Sequence, residues 1–204
     1  MVTNCTFIKN ESQASGGGIA NYINSHSIVT NCTFSGNVTV GGDGGGIRNW
    51  DSSPIIKNCI LWGNEHDEIS SAGTSVPVVN YSDIQGGHIG TGNINTDPNF
   101  VDANNPDPNL VNLRLLPDSA CIDAGDSTAV PLGISLDPDG NQRGLDDPAS
   151  PDTGINVLGV TVDMGAYEYL PCPIAGDINC DGVVDFKDVA ILCANWLAST
   201  EQEM

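Results

Sequence analysis

Asn4-Cys5-Thr6-Phe7, Asn31-Cys32-Thr33-Phe34 and Asn58-Cys59-Ile60-Leu61 are one tetrapeptide read three times, 27 residues apart each time. Six positions beyond each leading asparagine stands another: Asn10, Asn37 and Asn64. Between the tetrapeptides, Gly16-Gly17-Gly18-Ile19-Ala20-Asn21 recurs 28 residues later as Gly44-Gly45-Gly46-Ile47-Arg48-Asn49, one residue having been inserted in the loop. Two motifs in phase at one period mark a structural repeat.

The conformation of the repeat follows from its alternation. Ser27-Ile28-Val29-Thr30-Asn31-Cys32-Thr33-Phe34 and Pro54-Ile55-Ile56-Lys57-Asn58-Cys59-Ile60-Leu61 alternate apolar and polar residues, which is strand period. The interior set is Ile28, Thr30, Cys32 and Phe34 or the opposite parity, with Cys and Phe or Leu buried together. Gly-rich and Asn-rich joints separate the strands, and no stretch before residue 185 has a 3.6 period. A strand-turn unit of this length that stacks on its own copies is one coil of an all-β parallel solenoid. Like residues then pile up at about 4.8 Å. Asn4, Asn31 and Asn58, and likewise Asn10, Asn37 and Asn64, are expected to be structural amide ladders. Cys5, Cys32 and Cys59 form a third ladder, of small buried hydrophobes.

Composition agrees. Among 204 residues there are 24 glycines, suited to many tight turns. Acids outnumber bases 26 to 6, for a net charge of −20. A nucleic-acid binder needs a basic patch to replace phosphate counterions, and six scattered bases supply none. An anionic membrane surface is excluded on the same ground. No window approaches 18 apolar residues, so no membrane insertion is expected. Met1-Val2-Thr3-Asn4 enters the repeat directly, without a basic n-region or apolar h-region. A solenoid ordinarily begins with a cap, so the chain is expected to be the downstream piece of a longer one.

The Asn-Cys-x-Phe and Gly-Gly-Gly-Ile-x-Asn coils resemble right-handed parallel β-helix proteins of the pectate-lyase-like and polymorphic outer-membrane-protein-like kinds. Asn80-Tyr81-Ser82-Asp83-Ile84-Gln85-Gly86-Gly87 looks like the last coil. Four later motifs resemble the C-terminal cap of secreted bacterial members: Asp97–Val101, Ser119–Asp126, Asp137–Arg143 and Val162–Tyr169. The resemblance implies coils over residues 1–95, a cap over 96–170, a module over 171–204, and an extracellular or cell-surface location.

Leu170-Pro171-Cys172-Pro173 reads as a linker. The segment Asp177–Asp188 then fits a twelve-residue calcium loop. Oxygen ligands at positions 1, 3, 5, 7, 9 and 12 are Asp177, Asn179, Asp181, the Val183 carbonyl, Asp185 and Asp188, with Gly182 at the sharp turn. Phe186, Val189, Ala190, Cys193, Trp196 and Leu197 recur at three and four residues, an apolar helix face. Calcium is therefore the expected cofactor. The Gly-Asp-x-Asn opening, the Asp at position 12 and Asn195-Trp196-Leu197 make the module similar to one repeat of a type I dockerin, which implies a cohesin-like scaffold or cell-surface partner. A dockerin has two such repeats and this chain shows one. Phe186 and Lys187 stand where cohesin-binding members often carry small hydroxyl residues.

Cys121 is expected to be buried, and one bridge among Cys172, Cys180 and Cys193 suits a small secreted module. Asp43, Arg48, Asp51, Lys57, Glu65, His66, Asp67 and Glu68 are the catalytic candidates on the coils, yet no pair repeats a recognisable motif. His66 and its acidic neighbours read as a solvated loop. His26 and His88 are lone. Trp50 and Trp62 have faces suited to sugar rings. Asp137, Asp139 and Asn141 make a partial calcium-like run, read as a cap turn. The expected function is a non-catalytic, carbohydrate-associated β-helix with a calcium-bound docking module and a polysaccharide partner. The alternatives are the C-terminal piece of a polysaccharide lyase or glycosidase, and an adhesin-like surface protein.

Overall fold

A computed structural model describes residues 1–170 and, beyond them, Val184, Phe186, Val189 and Ala190. The chain divides into two units, Met1–Tyr169 and Leu170–Met204. In the second, Phe186, Val189 and Ala190 are helical.

The first unit is built on a parallel β-solenoid. Coil one carries β1 (Val2–Thr3), β2 (Thr6–Ile8), β3 (Glu11–Ser12) and β4 (Ile19–Tyr22). Coil two repeats these as β5 (Ile28–Thr30), β6 (Thr33–Ser35), β7 (Val38–Thr39) and β8 (Ile47–Trp50). Coil three supplies β9 (Ile55–Lys57), β10 (Ile60–Trp62) and β11 (Ile69–Ala72), and a partial fourth supplies β12 (Val78–Asn80) and β13 (Asp83–Ile84). The sheets run β1-β5-β9-β12, β2-β6-β10-β13, β4-β8-β11 and β3-β7, every pairing parallel.

Register stacks like on like. Val2, Val29, Ile56 and Val79 make one apolar column; Phe7, Phe34, Leu61 and Ile84 a second; Ile19, Ile47 and Ile69 a third. Together with Cys32 and Cys59 these side chains form a continuous core. The Phe7 and Phe34 rings stack with centroids 4.4 Å apart. The glycine triplets serve the same close approach: a Cβ on Gly18 would sit 2.6 Å from the Gly46 carbonyl oxygen and 2.8 Å from the Phe34 ring.

Neither single parity predicted for residues 27–34 holds. Val29 is buried with Cys32 and Phe34, while Ile28 is 42% exposed. The reason is a corner. Asn4, Asn31 and Asn58 all take φ 51°, and Tyr81 follows at 49°. That left-handed conformation, which asparagine tolerates better than most residues, ends one strand and starts the next on another face. The predicted continuous strand is therefore two strands about a bend.

The period also changes. Twenty-seven residues separate Asn31 from Asn58, but 23 separate Cys59 from Ser82. Coil three lacks the strand equivalent to β3 and β7 and runs from Gly63 to Glu68 straight into β11.

The segment expected as a cap lies along the flank of the coils. It holds the antiparallel hairpin of β14 (Phe100–Asp102) and β15 (Asn112–Leu115) and a 3-10 turn at Ser127–Ala129. Its Leu115, Cys121, Ile122, Ala124 and Met164 pack with Ile60 as a second core. It bonds to every coil: Arg143 Nη2 donates to Asn4 Oδ1 at 2.9 Å, Ala166 N to Thr33 Oγ1 at 2.9 Å, Gly165 N to the Asn58 carbonyl at 2.9 Å, and Cys121 Sγ to Asp83 Oδ2 at 3.2 Å.

Asn58 is where solenoid and flank are joined most closely. Its Nδ2 donates to Asn31 Oδ1 and to the Asp126 carbonyl, both at 3.0 Å, and its Oδ1 accepts Asp126 N–H at 2.7 Å. Asn58→Ala leaves a buried N–H and two acceptors without partners and puts alanine at positive φ. We expect a loss of about 3 kcal/mol or more, measured by urea unfolding of the whole chain followed by circular dichroism.

Candidate functional site

The ladders come first, because they fix what the remaining side chains are free to do. Asn37 Nδ2 donates to Asn64 Oδ1 at 2.7 Å and to the Phe7 carbonyl at 2.9 Å; Asn10 Nδ2 donates to Asn37 Oδ1 at 2.7 Å. Asn37 and Asn64 thus bond both along the stack and to the backbone, Asn64 through the Phe34 carbonyl at 3.0 Å. The thiols of Cys5, Cys32 and Cys59 donate to the carbonyl two residues back, at 3.1, 3.2 and 3.1 Å. Ser82 is the fourth rung. Its hydroxyl donates to the Asn80 carbonyl at 3.0 Å and accepts from Cys59 N at 3.0 Å. The sequence hides this rung because both residue type and period change there. A further amide pair, Asn21 Nδ2 to Asn49 Oδ1 at 2.9 Å, was likewise visible only as the end of the glycine motif. Cys121 is buried and, with the three ladder cysteines, is a free thiol.

Glu68 ends the second amide ladder. Its Oε1 accepts Asn64 N–H at 3.0 Å and its Oε2 accepts from Asn64 Nδ2. Glu65, His66 and Asp67 are exposed, but Glu68 is buried, which corrects the solvated-loop reading for this residue. The shortened coil puts its carboxylate where a fourth asparagine would otherwise stack. Burial pushes it up to about 7, against the pull of the Asn64 donors. A notch of about 360 Å³ opens beside it, lined by Asp67, Gln85 and His88 among others. Both Glu68 oxygens are held by Asn64, and it is burial at the end of the ladder that raises its pKa.

The other candidates resolve into local pairs. Arg48 Nη1 reaches Asp43 Oδ2 at 3.1 Å and Ser70 Oγ at 2.6 Å, and its guanidinium lies 5.5 Å from the Trp50 ring centre. Asp51 Oδ1 accepts Thr74 N–H in a turn at 2.8 Å. His26 Nδ1 accepts Ser53 N–H at 2.8 Å. Lys57 Nζ meets Asp126 Oδ2 at 3.0 Å. Burial works against the Asp126 carboxylate, but the Thr128 hydroxyl and Lys57 outweigh it and hold it below the usual range. Asp137 Oδ1 accepts the N–H groups of Asp139 and Asn141, at 2.9 and 2.8 Å, and Arg114 grips Asp139 with two bonds of 2.6 Å. That run is a turn satisfied by protein groups. Asp177, Asn179, Asp181, Val183, Asp185, Asp188, Cys172, Cys180 and Cys193 lie outside the described residues.

The flank carries a polar knot. Arg143 and Glu168, both buried, pair at 2.9 Å; Arg143 also donates to the Ala166 carbonyl, and Glu168 Oε2 accepts Gly144 N–H at 3.0 Å. Asp163 beside them accepts Asp123 N–H at 2.8 Å and Tyr169 N–H at 2.5 Å. Burial raises Asp163, with the Glu168 charge adding to it. Burial brings Glu168 to about 6 despite Arg143.

A concavity lies between solenoid and hairpin. It measures about 450 Å³. Trp62 at the end of β10 and Phe100 at the start of β14 supply aromatic surface, and Asp97, Asn99, Asp102, Asn104 and Lys9 supply polar groups. Lys9 Nζ is engaged by the Asn105 carbonyl, and Asn105 Nδ2 donates to Asp102 Oδ2 at 2.9 Å. The sequence marked Trp62 but offered no sign that Phe100, 38 positions on, would face the same space.

Comparison with protein-family models, curated proteins and solved structures gives no match.

Glu68, Asp83, Asp163 and Glu168 all have raised pKa values in the folded state, so each favours the fold at low pH and loses that contribution as pH rises through its folded value. Stability of this unit should therefore fall between about pH 4 and pH 7. Glu68 contributes up to about 3 kcal/mol of that fall, spread between its ordinary value of 4.5 and its folded value of about 7. Glu68→Gln should flatten the slope there, as measured by urea midpoints across pH.

Proposed function

We propose that the protein is an extracellular, non-catalytic β-solenoid that binds a neutral polysaccharide in the cleft between Trp62 and Phe100. A sugar ring presents C–H faces that pack on aromatic surface and hydroxyls that bond to carboxylates and amides. The cleft offers both within one concavity of about 450 Å³, and this is the observation that carries the reading. Charge narrows the ligand class. Asp97 and Asp102 line the cleft, its lysine is engaged, and the chain carries −20 overall, so a polyuronate would be repelled.

The loop Asp177–Asp188 is assigned in the same proposal as a calcium site whose helix serves attachment to a cohesin-like or cell-surface partner. Its support is the complete ligand spacing. Calcium-dependent capture of the chain by cohesin modules tests this part.

The cleft is tested by titrating neutral and uronic-acid oligosaccharides into the whole chain. Trp62→Ala and Phe100→Ala should each weaken neutral-glycan binding by about tenfold, the loss of one stacking contact. Trp50→Ala should leave it unchanged, because Arg48 lies against that ring. Binding that is lost with Trp50 and kept without Trp62 would refute the assignment.

A further inference from the structure

Asp123 belongs to the Ser119–Asp126 motif and is fully buried. Its Oδ2 accepts Asp147 N–H at 3.1 Å, whereas its Oδ1 is buried with no hydrogen-bond partner. A carboxylate oxygen shut away from water without a donor is costly and calls for a partner. The side chains around it make matters worse. One carboxylate oxygen from each of Asp123, Asp146 and Asp152 lies within 4.8 Å of the others. Among the described residues no cation answers them: Arg48, Lys57, Arg114 and Arg143 pair with Asp43, Asp126, Asp139 and Glu168, and Lys9 with the Asn105 carbonyl.

We propose that Asp123, Asp146 and Asp152 bind a divalent cation, of which calcium fits best. Oxygens that share a calcium at about 2.4 Å stand roughly 3 to 5 Å apart, the spacing available here. The donor set is all oxygen and carries no nitrogen or sulfur, which disfavours zinc and the other softer metals. Asp146 and Asp152 are exposed, so solvent fills the remaining positions and the ion has a path in. The ion satisfies the buried Asp123 oxygen and cancels the repulsion of three acids. It also clamps the 146–154 loop, whose Thr153 and Gly154 N–H groups already donate to the Asp123 carbonyl at 3.0 and 3.1 Å. The site is separate in sequence from the Asp177–Asp188 loop and does not depend on it.

Calcium chloride titrated calorimetrically into the whole chain decides the matter, alongside Asp146→Asn/Asp152→Asn and Asp177→Asn/Asp188→Asn. The proposal expects a binding event that the first pair of substitutions abolishes or weakens at least about tenfold and the second pair spares. Hydrogen exchange at the Asp147, Thr153 and Gly154 amides should slow on adding calcium. Asp152→Lys supplies a fixed ammonium instead, and should raise the calcium-free melting temperature while removing the calcium response of those amides. Calcium heat that is absent, that survives Asp146→Asn/Asp152→Asn undiminished, or that disappears wholly with Asp177→Asn/Asp188→Asn would overturn the assignment. So would exchange at the three amides that ignores calcium.

Discussion

Parallel stacking places every side chain directly above its own copy, and the rest of this structure follows from that constraint. A polar side chain inside such a stack is fully satisfied when it bonds both to its neighbour one coil away and to the backbone, as Asn37 does. An amide carries a donor and an acceptor and can do both, which is why asparagine fills the interior corners. At Asn31 and Asn58 the same residue also holds the left-handed conformation that turns the chain between faces. A carboxylate has acceptors only and cannot continue a ladder. It can end one, and Glu68 does so where coil three loses a strand.

The flank solves a different problem. Short parallel sheets of two to four strands leave one face of the solenoid bare, and residues 96–169 cover it with little regular structure. They rely on apolar contact through Ile60 and on a polar knot of Arg143, Glu168 and Asp163. Buried pairs of this kind gain little net stability over apolar packing, but they penalise any register that leaves one charge alone. Here the knot reaches Asn4 of coil one, so it specifies how the irregular segment sits on the coils.

The cleft sits where this flank meets the coils, and the acid cluster lies within the flank itself. The aromatic cleft exists because the hairpin stands off β10 and leaves Trp62 partly uncovered. The acid cluster exists because the 146–154 loop wraps the buried Asp123. In a chain so acidic, carboxylates without a cation nearby carry information, and those at Asp123, Asp146 and Asp152 differ from the Asp137–Asn141 turn in this respect. The turn is saturated by N–H groups and Arg114; the cluster holds an oxygen without a donor.

The solenoid was legible in the amino-acid order because stacking turns a spatial repeat into a sequence period. Asn31 and Asn58 could be paired by counting alone, whereas Asn4, expected as the first rung of that ladder, turns its amide to the Leu136 carbonyl and Arg143 and leaves Asn31 Nδ2 without a partner. What counting missed were the places where the period breaks: the two-strand bend at Asn31, the 23-residue coil, Ser82 as a rung and Glu68 as a terminus. Each depends on backbone conformation or on the loss of a strand, neither of which a fixed spacing encodes. The cleft and the acid cluster were decided wholly by tertiary structure. Trp62 and Phe100, and Asp123 and Asp152, are brought together by an irregular segment whose path is set by burial and by scattered polar bonds, and such a path leaves no periodic trace in the chain.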